Sequence, residues 1–200
     1  ANSEELAGLL VQEQGIRRVG TQRLSLFRFR HNLFRKYLYD SLSNSERMYL
    51  HDAIGNALEE LYRYQAGEIA AIATQLAHHF QEARIAKKAA GYLLLAGEQA
   101  ASSFAYDEAI SHFKRGLALL SELPDSSGQL RQAFDFELSL GKTQWKFGQV
   151  TEALDSLQRS AAIARELASS TALAQAALAY EEPRWRFNLP SDPVRSEERR

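Results

Sequence analysis

Apolar residues recur every three or four positions through most of the chain after residue 30, which is the spacing of a one-sided amphipathic helix. One such stripe comprises Ile69, Ile72, Ala73, Leu76, Ala77 and Phe80. Similar stripes begin at Leu33, Ile54, Ala89, Ala109, Leu130, Val150 and Leu173. The pattern predicts about eight helices between residues 31 and 180. Their connections are short except for a loop at 121–129, around Pro124.

Residues 1–30 follow a different pattern. A helix is expected from Ser3, with Leu6, Leu9 and Leu10 on its apolar side and Gly15 as its stop. Two short strands, at residues 16–19 and 24–29, then follow, joined through residues 20–22. The alternation in the second strand breaks at residues 26–27, so that strand either is covered on both faces or carries a bulge. Ser43 to Glu46 has the spacing of a capping box, which marks the start of a later helix.

The composition is that of an ordinary globular chain, with 45% hydrophobic residues and a formal net charge of −1. The absence of cysteine excludes disulfide scaffolds, thiolate metal sites and cysteine nucleophiles, and it fits a cytoplasmic protein. The apolar runs are far shorter than the roughly 20 residues of a membrane span, and no signal peptide is evident. Because the chain begins at Ala1 rather than Met, we expect an excised piece of a longer protein.

Two segments of the helical region align with each other. In each, a glycine precedes by 12 positions the alanine of a Glu-Ala pair, and a large apolar residue follows that alanine by four. These repeat-packing positions are Gly97, Ala109, Phe113, Gly141, Ala153 and Leu157. Small residues at such positions let two helices approach closely. The two segments resemble tetratricopeptide repeats, with an elongated spacing of 44 residues between the glycines.

A longer run of motifs extends this resemblance. It includes residues 26–42, Ser45-Glu46-Arg47, residues 76–80 and residues 89–100. This run is similar to the arm of STAND-type bacterial signal-transduction ATPase regulators, found in LuxR-family and SARP-like activators and beside nucleotide cyclase domains. In that family a P-loop ATPase and a winged helix precede a helical arm. The ATPase and output domains are not in this sequence.

The resemblance implies an all-α fold: a tetratricopeptide-like helical-hairpin superhelix with a small N-terminal β-hairpin from a partial winged helix. The expected segments are a partial winged helix at 1–42, repeats at 43–180 and a Pro-rich charged tail at 181–200 that begins a further repeat. The implied function is a non-catalytic sensor or protein-interaction arm of a signal-transduction or transcriptional regulator. Its partner would be a protein or the missing ATPase domain, with an inducer or peptide on a concave helical surface.

No constellation of residues predicts an enzyme, a cofactor or a metal site. Gly141-Lys142-Thr143 lacks the earlier glycine of a phosphate loop, since Phe136 stands at that position. His78-His79 with Glu82 suggests a metal cluster, but adjacent histidines point about 100° apart on a helix and no third ligand is evident. The pairs Glu59-Glu60 and Glu181-Glu182 are interpreted as solvated helix faces.

Residues 15–36 hold seven cations and no acidic residue. The candidate contact residues are Arg17, Arg18, Arg23, Arg28, Arg30 and Arg35. Together with Phe27 and Phe29 they indicate either a docking face for a missing domain or a wing that lies on DNA phosphates. We favour the docking face, with DNA contacted only indirectly, because no base-reading element is evident. We expect no membrane partner, and exposed ends that associate into a homodimer.

Overall fold

The structure is a computed structural model that describes residues 10–19, 22–63, 66–123 and 127–187. In these residues a two-stranded antiparallel hairpin is followed by nine helices. The hairpin consists of β1 (Val11–Val19) and β2 (Gln22–Phe29). The helices are α1 (Asn32–Ser41), α2 (Asn44–Tyr62), α3 (Ala66–Ala71), α4 (Ala73–Glu82), α5 (Ala86–Ser102), α6 (Tyr106–Ser121), α7 (Ser127–Phe147), α8 (Val150–Glu166) and α9 (Ser170–Phe187). Helices account for 79% of these residues. The prediction of a mostly helical chain with a small N-terminal hairpin is confirmed.

The first strand starts earlier than the alternation of residues predicts. It begins at Val11, so Gly15 is not the stop of a helix. Instead Gly15 lies within β1 at a φ of 142°, where the register shifts between Glu13 and Gly15 and leaves an extra residue. The bulge is therefore on the first strand rather than the second, and glycine suits it because a side chain is strained at this φ. The predicted helix start at Ser3 lies outside the described residues.

Three helix boundaries differ from the sequence pattern. The continuous stripe through Ile72 is two helices, because Ile72 has a φ of −104° and a ψ of 7° and separates α3 from α4. The predicted loop at 121–129 is shorter, since α7 begins at residue 127. The expected segment boundary at 180 falls inside α9, which includes Pro183 and ends at Phe187. Residues 188–200 of the expected tail lie outside the described residues.

Four of the helix connections are tight turns of the same construction. The residues at their centres have left-handed backbones and are Arg84, Phe104, Gly148 and Ala168. In each turn the next residue's N–H donates to the carbonyl five positions earlier, as from Ala105 to Ala100 at 2.9 Å and from Gln149 to Gln144 at 2.9 Å. These bonds satisfy carbonyls that a helix end would leave free. Consecutive helices therefore return antiparallel after only a few residues. The predicted capping box also forms, between Ser43 and Glu46 at the start of α2.

Helices pack in pairs at contacts where one partner is a glycine. Gly97 of α5 faces the ring of Phe113 on α6, and a Cβ at Gly97 would overlap that ring. Gly141 of α7 lies against Leu157 of α8, where a Cβ would stand 2.7 Å from Leu157 Cγ. Ala109 and Ala153, the other small repeat positions, are fully buried.

Two further close contacts complete this series. Gly55 of α2 lies against the Phe80 ring of α4, where a Cβ would stand 2.9 Å from Cζ. Gly116 of α6 lies against the ring of Phe136 on α7. The four large side chains at these contacts, Phe80, Phe113, Phe136 and Leu157, are almost completely buried. Part of the core is therefore a series of large residues that pack against glycines of another helix.

Polar side chains tie the same helices together at their edges. Glu59 of α2 accepts hydrogen bonds from Lys88 Nζ at 2.6 Å and Tyr92 Oη at 2.7 Å, both on α5. The interpretation of Glu59 as part of a solvated face is therefore wrong. On α8, Arg159 donates two hydrogen bonds, of 2.7 and 3.0 Å, to the largely buried Glu137 of α7. Among the described residues, no helix is both long enough and apolar enough to cross a membrane.

The close contact at Gly97 predicts a difference between two glycines of one helix. We expect Gly97→Ala to lower the free energy of unfolding by about 1–3 kcal/mol, since the added methyl group meets the Phe113 ring. Gly91→Ala is the matched control because its Cβ would stand 3.9 Å from Gln132, an ordinary contact. That variant should gain about 0.5–1 kcal/mol through helix propensity. Urea unfolding measures both, and equal stability of the two variants would contradict the packing.

The left-handed turn at Ala168 predicts a stabilising substitution. Ala168 has a φ of 48°, which a Cβ disfavours. We expect Ala168→Gly to raise the free energy of unfolding by about 0.5–1 kcal/mol. The same change at Ala162, an exposed position within α8, should lower it by about 1 kcal/mol. Effects of the same sign in thermal unfolding would argue against the turn geometry.

Candidate docking surface and histidine cleft

The pairing of the two strands decides which side chains share a face of the hairpin. Residues that stand directly opposite each other in an antiparallel pair project to the same face. Ile16 pairs with Ser25 and Glu13 with Phe27, which places Ile16 and Phe27 on one face. Leu26, opposite Gly15, lies on the other face. Both faces therefore carry large apolar side chains.

The six predicted arginines do not form a single stripe. Arg18 is paired directly with Arg23 on the face of Phe27. Arg17 is opposite Leu24 and Arg28 is opposite Gln12, both on the other face. The remaining two arginines follow the hairpin. Arg30 lies just after β2, and its backbone N–H donates to the Leu10 carbonyl at 2.9 Å, while Arg35 is on α1. The structure thus spreads the positive charge over both faces of the hairpin and onto α1.

The hairpin and α1 expose an unusual amount of apolar surface. The side chains concerned, each between 39% and 74% exposed, are Ile16, Leu26, Phe27, Leu33, Phe34, Tyr37 and Leu38. We call this set, with the arginines that border it, the docking surface. Helix α1 has an amphipathic pattern but buries none of its residues. Exposed apolar side chains in such number are typical of interaction surfaces.

A groove of about 700 Å³ runs between the hairpin and the start of α1. It is lined by Gln12, Gln14, Phe27, Arg28, Phe29, Arg30, Asn32 and Arg35. Three arginines and two phenylalanines line it, and none of its described lining residues is a carboxylate. The groove therefore favours a ligand or partner with negative charge beside an apolar group.

Helix α1 is held to the helical body through Tyr39. Arg47 of α2 donates from Nε to the Tyr39 carbonyl at 3.1 Å and from Nη2 to the Asp40 carbonyl at 3.1 Å. The Arg47 guanidinium also lies 4.7 Å from the centre of the Tyr39 ring. One turn further along α2, His51 Nε2 lies 3.0 Å from the Tyr39 hydroxyl. Among the described residues, a few contacts around one tyrosine thus hold α1 against the helical body.

Three histidines meet beside Tyr39. His51 of α2 is only 6% exposed, and its Nδ1 lies 3.0 Å from Nδ1 of His79 on α4. The His78 ring stands edge-on to His51 with ring centres 5.6 Å apart. Among the described residues, no group of three or more His, Asp or Glu side chains is arranged to hold a metal ion. The chain Tyr39–His51–His79 is therefore a hydrogen-bonded path across α1, α2 and α4.

The surroundings of this pair disfavour positive charge on it. Burial is the main cause that lowers the pKa of His51, while Glu82 raises it and His78 lowers it. Burial also lowers the pKa of His79, and repulsion from His51 and His78 adds to the effect. Both imidazoles are thus kept neutral at pH values where an exposed histidine begins to take up a proton.

A second cleft, of about 440 Å³, opens at this cluster, and we call it the histidine cleft. It is lined by Asn32, Arg35, Lys36, Tyr39, His51, His78 and Glu82. Asn32 and Arg35 also line the first groove, so the two openings adjoin at the start of α1.

Sequence reasoning considered His78, His79 and Glu82 together but missed His51 and Tyr39. A signal was present, because His51 precedes the apolar position Ile54 by three residues and Gly55 by four. That spacing puts a titratable side chain on the buried side of α2. The other candidate, Gly141-Lys142-Thr143, lies inside α7 with Gly141 packed on Leu157.

Comparison with protein-family models, curated proteins and solved structures finds no match to this chain.

The lowered histidine pKa values predict that acid destabilises the fold. Histidines of the unfolded chain take up protons near pH 6.5, before His51 and His79 do so in the folded chain. We therefore expect the free energy of unfolding to decrease as the pH falls through about 6.5, until it passes the folded-state values. Urea unfolding between about pH 8 and pH 5 measures this slope.

Two variants separate this effect from other titrations. His79→Gln removes one member of the pair and should flatten the slope. His31→Gln changes an exposed histidine at the start of α1 and should leave the slope as in the parent. A slope unaffected by His79→Gln would contradict the assignment.

Proposed function

We propose that this chain is a non-catalytic protein-interaction arm that binds a partner through the docking surface of the hairpin and α1. The observation that carries the proposal is the number of exposed aliphatic and aromatic side chains on the hairpin and α1, which arginines accompany. Phe27 is 63% exposed, Leu33 74% and Tyr37 72%. Protein interfaces are enriched in aromatic residues and arginine, which matches this surface.

The chemistry of the surface specifies the partner. Seven cations without an acidic residue lie between residues 15 and 36. No described carboxylate forms an ion pair with Arg17, Arg28 or Arg35. The best complement is a protein surface with an apolar centre and an acidic rim. The resemblance to STAND-type regulators makes the ATPase domain of the same polypeptide the first candidate.

The helical body supports the role of an arm. Gly55, Gly97 and Gly141, which each contact a large residue of the paired helix, are 42 and 44 residues apart. We interpret the pairs as degenerate tetratricopeptide-like repeats that stack into a superhelix. Helix α7 contacts both α5 and α9, the first helices of the adjacent pairs. In such a superhelix these three helices would line a concave surface for an inducer or a peptide. A bacterial signal-transduction or transcriptional regulator in the cytoplasm is the setting that this proposal implies.

Nucleic-acid binding through the basic hairpin is the second candidate. The absence of acidic residues between positions 15 and 36 favours it. The strand register argues against it, because Arg18 and Arg23 lie on one face while Arg17 and Arg28 lie on the other. One face of the hairpin can therefore present only part of the charge to a phosphate backbone.

The experiment is a capture assay from a lysate of the source organism with the intact chain as bait. We expect a protein partner whose retention falls about tenfold or more in Phe27→Ser and in Tyr37→Ser, because a buried aromatic anchor contributes about 2 kcal/mol. Leu178→Ser is the matched control, since Leu178 is 77% exposed on α9, away from this surface. Light scattering gives the mass of each variant in solution. It shows whether the retained protein is a second copy of this chain rather than a different partner.

Two outcomes would contradict the proposal. Retention that is equal in the parent, Phe27→Ser and Leu178→Ser would show that the docking surface is not used. Retention of nucleic acid alone, with affinity that falls steeply as salt rises, would support the second candidate instead.

A further inference from the structure

We propose that the histidine cleft binds a phosphate group, and that binding adds one proton to the His51–His79 pair. The proposal concerns a small anionic ligand and stands independently of protein docking.

The described residues that line the cleft carry more positive charge than negative charge. Arg35 and Lys36 of α1 both line it, and Glu82 of α4 is the single carboxylate among the described lining residues. No described residue forms an ion pair with Arg35 or Lys36. Leaving the histidines aside, two cations against one described carboxylate leave a net positive charge at the cleft. An anion is therefore the ligand that the lining favours.

The lining groups suit phosphate. A guanidinium presents a fork of donors that matches phosphate oxygens, a lysine adds a compact charge, and the Asn32 amide offers a further donor. The volume of about 440 Å³ falls within the range of about 300–1,000 Å³ that small-molecule sites occupy. The cleft thus has room for the organic part of a phosphate monoester as well as for inorganic phosphate.

The contact between the two histidines fixes how many protons the pair can hold. Since Nδ1 faces Nδ1 at 3.0 Å, one nitrogen must donate and the other must accept. The neutral pair meets this condition, and so does the pair with one added proton. If both imidazoles were protonated, two N–H groups would face each other and the contact would break. The intact cluster therefore takes up one proton and no more.

The added proton is compatible with every contact of the cluster. With the charge on His51, its Nδ1 donates to His79 and its Nε2 donates to the Tyr39 oxygen, 3.0 Å away. The Tyr39 hydroxyl hydrogen is then free to point into the cleft. Protonation thus raises the charge of the cleft and supplies a hydrogen-bond donor, both of which favour a bound anion.

Binding and protonation must then assist each other. The charged and titratable groups around the pair are Arg35, Lys36 and Tyr39 from α1, Arg47 from α2, and His78 and Glu82 from α4. Without a ligand, burial keeps the pair neutral. An anion in the cleft stabilises the charged form, so its affinity rises as the pH falls toward 6. By the same linkage, binding near neutral pH takes up a proton.

Calorimetry of the intact chain tests both parts. Sulfate is the first probe, because it has the charge and shape of phosphate but does not titrate between pH 6 and 8, whereas a phosphate monoester has a second pKa near 6. We expect sulfate to bind about tenfold more tightly at pH 6 than at pH 8. Titrations in buffers of different ionisation enthalpy should show uptake of up to one proton.

Further titrations identify the source of the phosphate. Inorganic phosphate and glycerol 3-phosphate are compared at one pH, with glycerol as the uncharged control. Tighter binding of glycerol 3-phosphate assigns the cleft to a phosphate monoester, and equal or tighter binding of inorganic phosphate assigns it to the free ion.

Variants assign the effect to the cleft. Arg35→Gln should weaken sulfate about tenfold or more, while Lys142→Gln, at an exposed position on α7, should leave it unchanged. Glu82→Gln should tighten binding, because it removes the opposing charge. His51→Gln removes the imidazole that carries the added proton, so it should weaken binding at pH 6 more than at pH 8. Should that variant unfold, Tyr39→Phe keeps the ring and is expected to weaken binding at pH 6 more than at pH 8.

Three results would overturn the proposal. The first is absence of measurable sulfate and phosphate binding. The second is sulfate binding that Arg35→Gln leaves unchanged. The third is sulfate binding without proton uptake or pH dependence in the parent chain.

Discussion

The close approach of α2 to α4 at Gly55 is the contact on which the candidate sites depend. A glycine is needed there because the Phe80 ring occupies the space that a Cβ would take. His51 lies one turn before Gly55 and His79 lies next to Phe80, so the packing that seats the ring also brings the two imidazoles together. The histidine pair is thus a consequence of helix packing. Its buried position, and hence its lowered pKa values, follow from the same contact.

Helix α1 contacts the histidine pair through a single side chain, that of Tyr39. Tyr39 is the residue of α1 that His51 and Arg47 both contact, and these two belong to the same face of α2 because they are four residues apart. Helix α1 buries none of its own residues, so little else in the described structure fixes its direction. The orientation of the docking surface relative to the body therefore depends on one ring, its hydroxyl and the helix carbonyls beside it.

The helices could be predicted from the sequence because apolar residues that are buried on one side recur at the helical period. The glycines at 97 and 141 could be predicted because each stands 16 residues before the large residue that it contacts. The Gly55–Phe80 contact could not be predicted in this way. Helix α3 lies between the two helices, so the glycine and the phenylalanine are 25 residues apart instead of 16. The break at Ile72 was hidden for a related reason, because the apolar stripe continues through it. An amphipathic pattern also cannot tell whether its apolar side is covered, as α1 shows. The meeting of His51 with His79 depends on tertiary packing, which a local pattern does not encode.

The two candidate sites share the charge of Arg35. This guanidinium lines both the groove at the hairpin and the histidine cleft. An acidic group of a protein partner and a phosphate in the cleft would therefore compete for the same donors, and each would lower the affinity for the other. Proton uptake by the His51–His79 pair acts in a different way. It adds positive charge at His51, which lines the cleft but not the groove. Proton uptake therefore raises the affinity of the cleft for an anion more than the affinity of the docking surface for its partner. On these two proposals, acidification would shift occupancy from the protein partner toward the small anion. The binding state of the arm would then depend on pH through the His51–His79 contact, which the packing at Gly55 brings together.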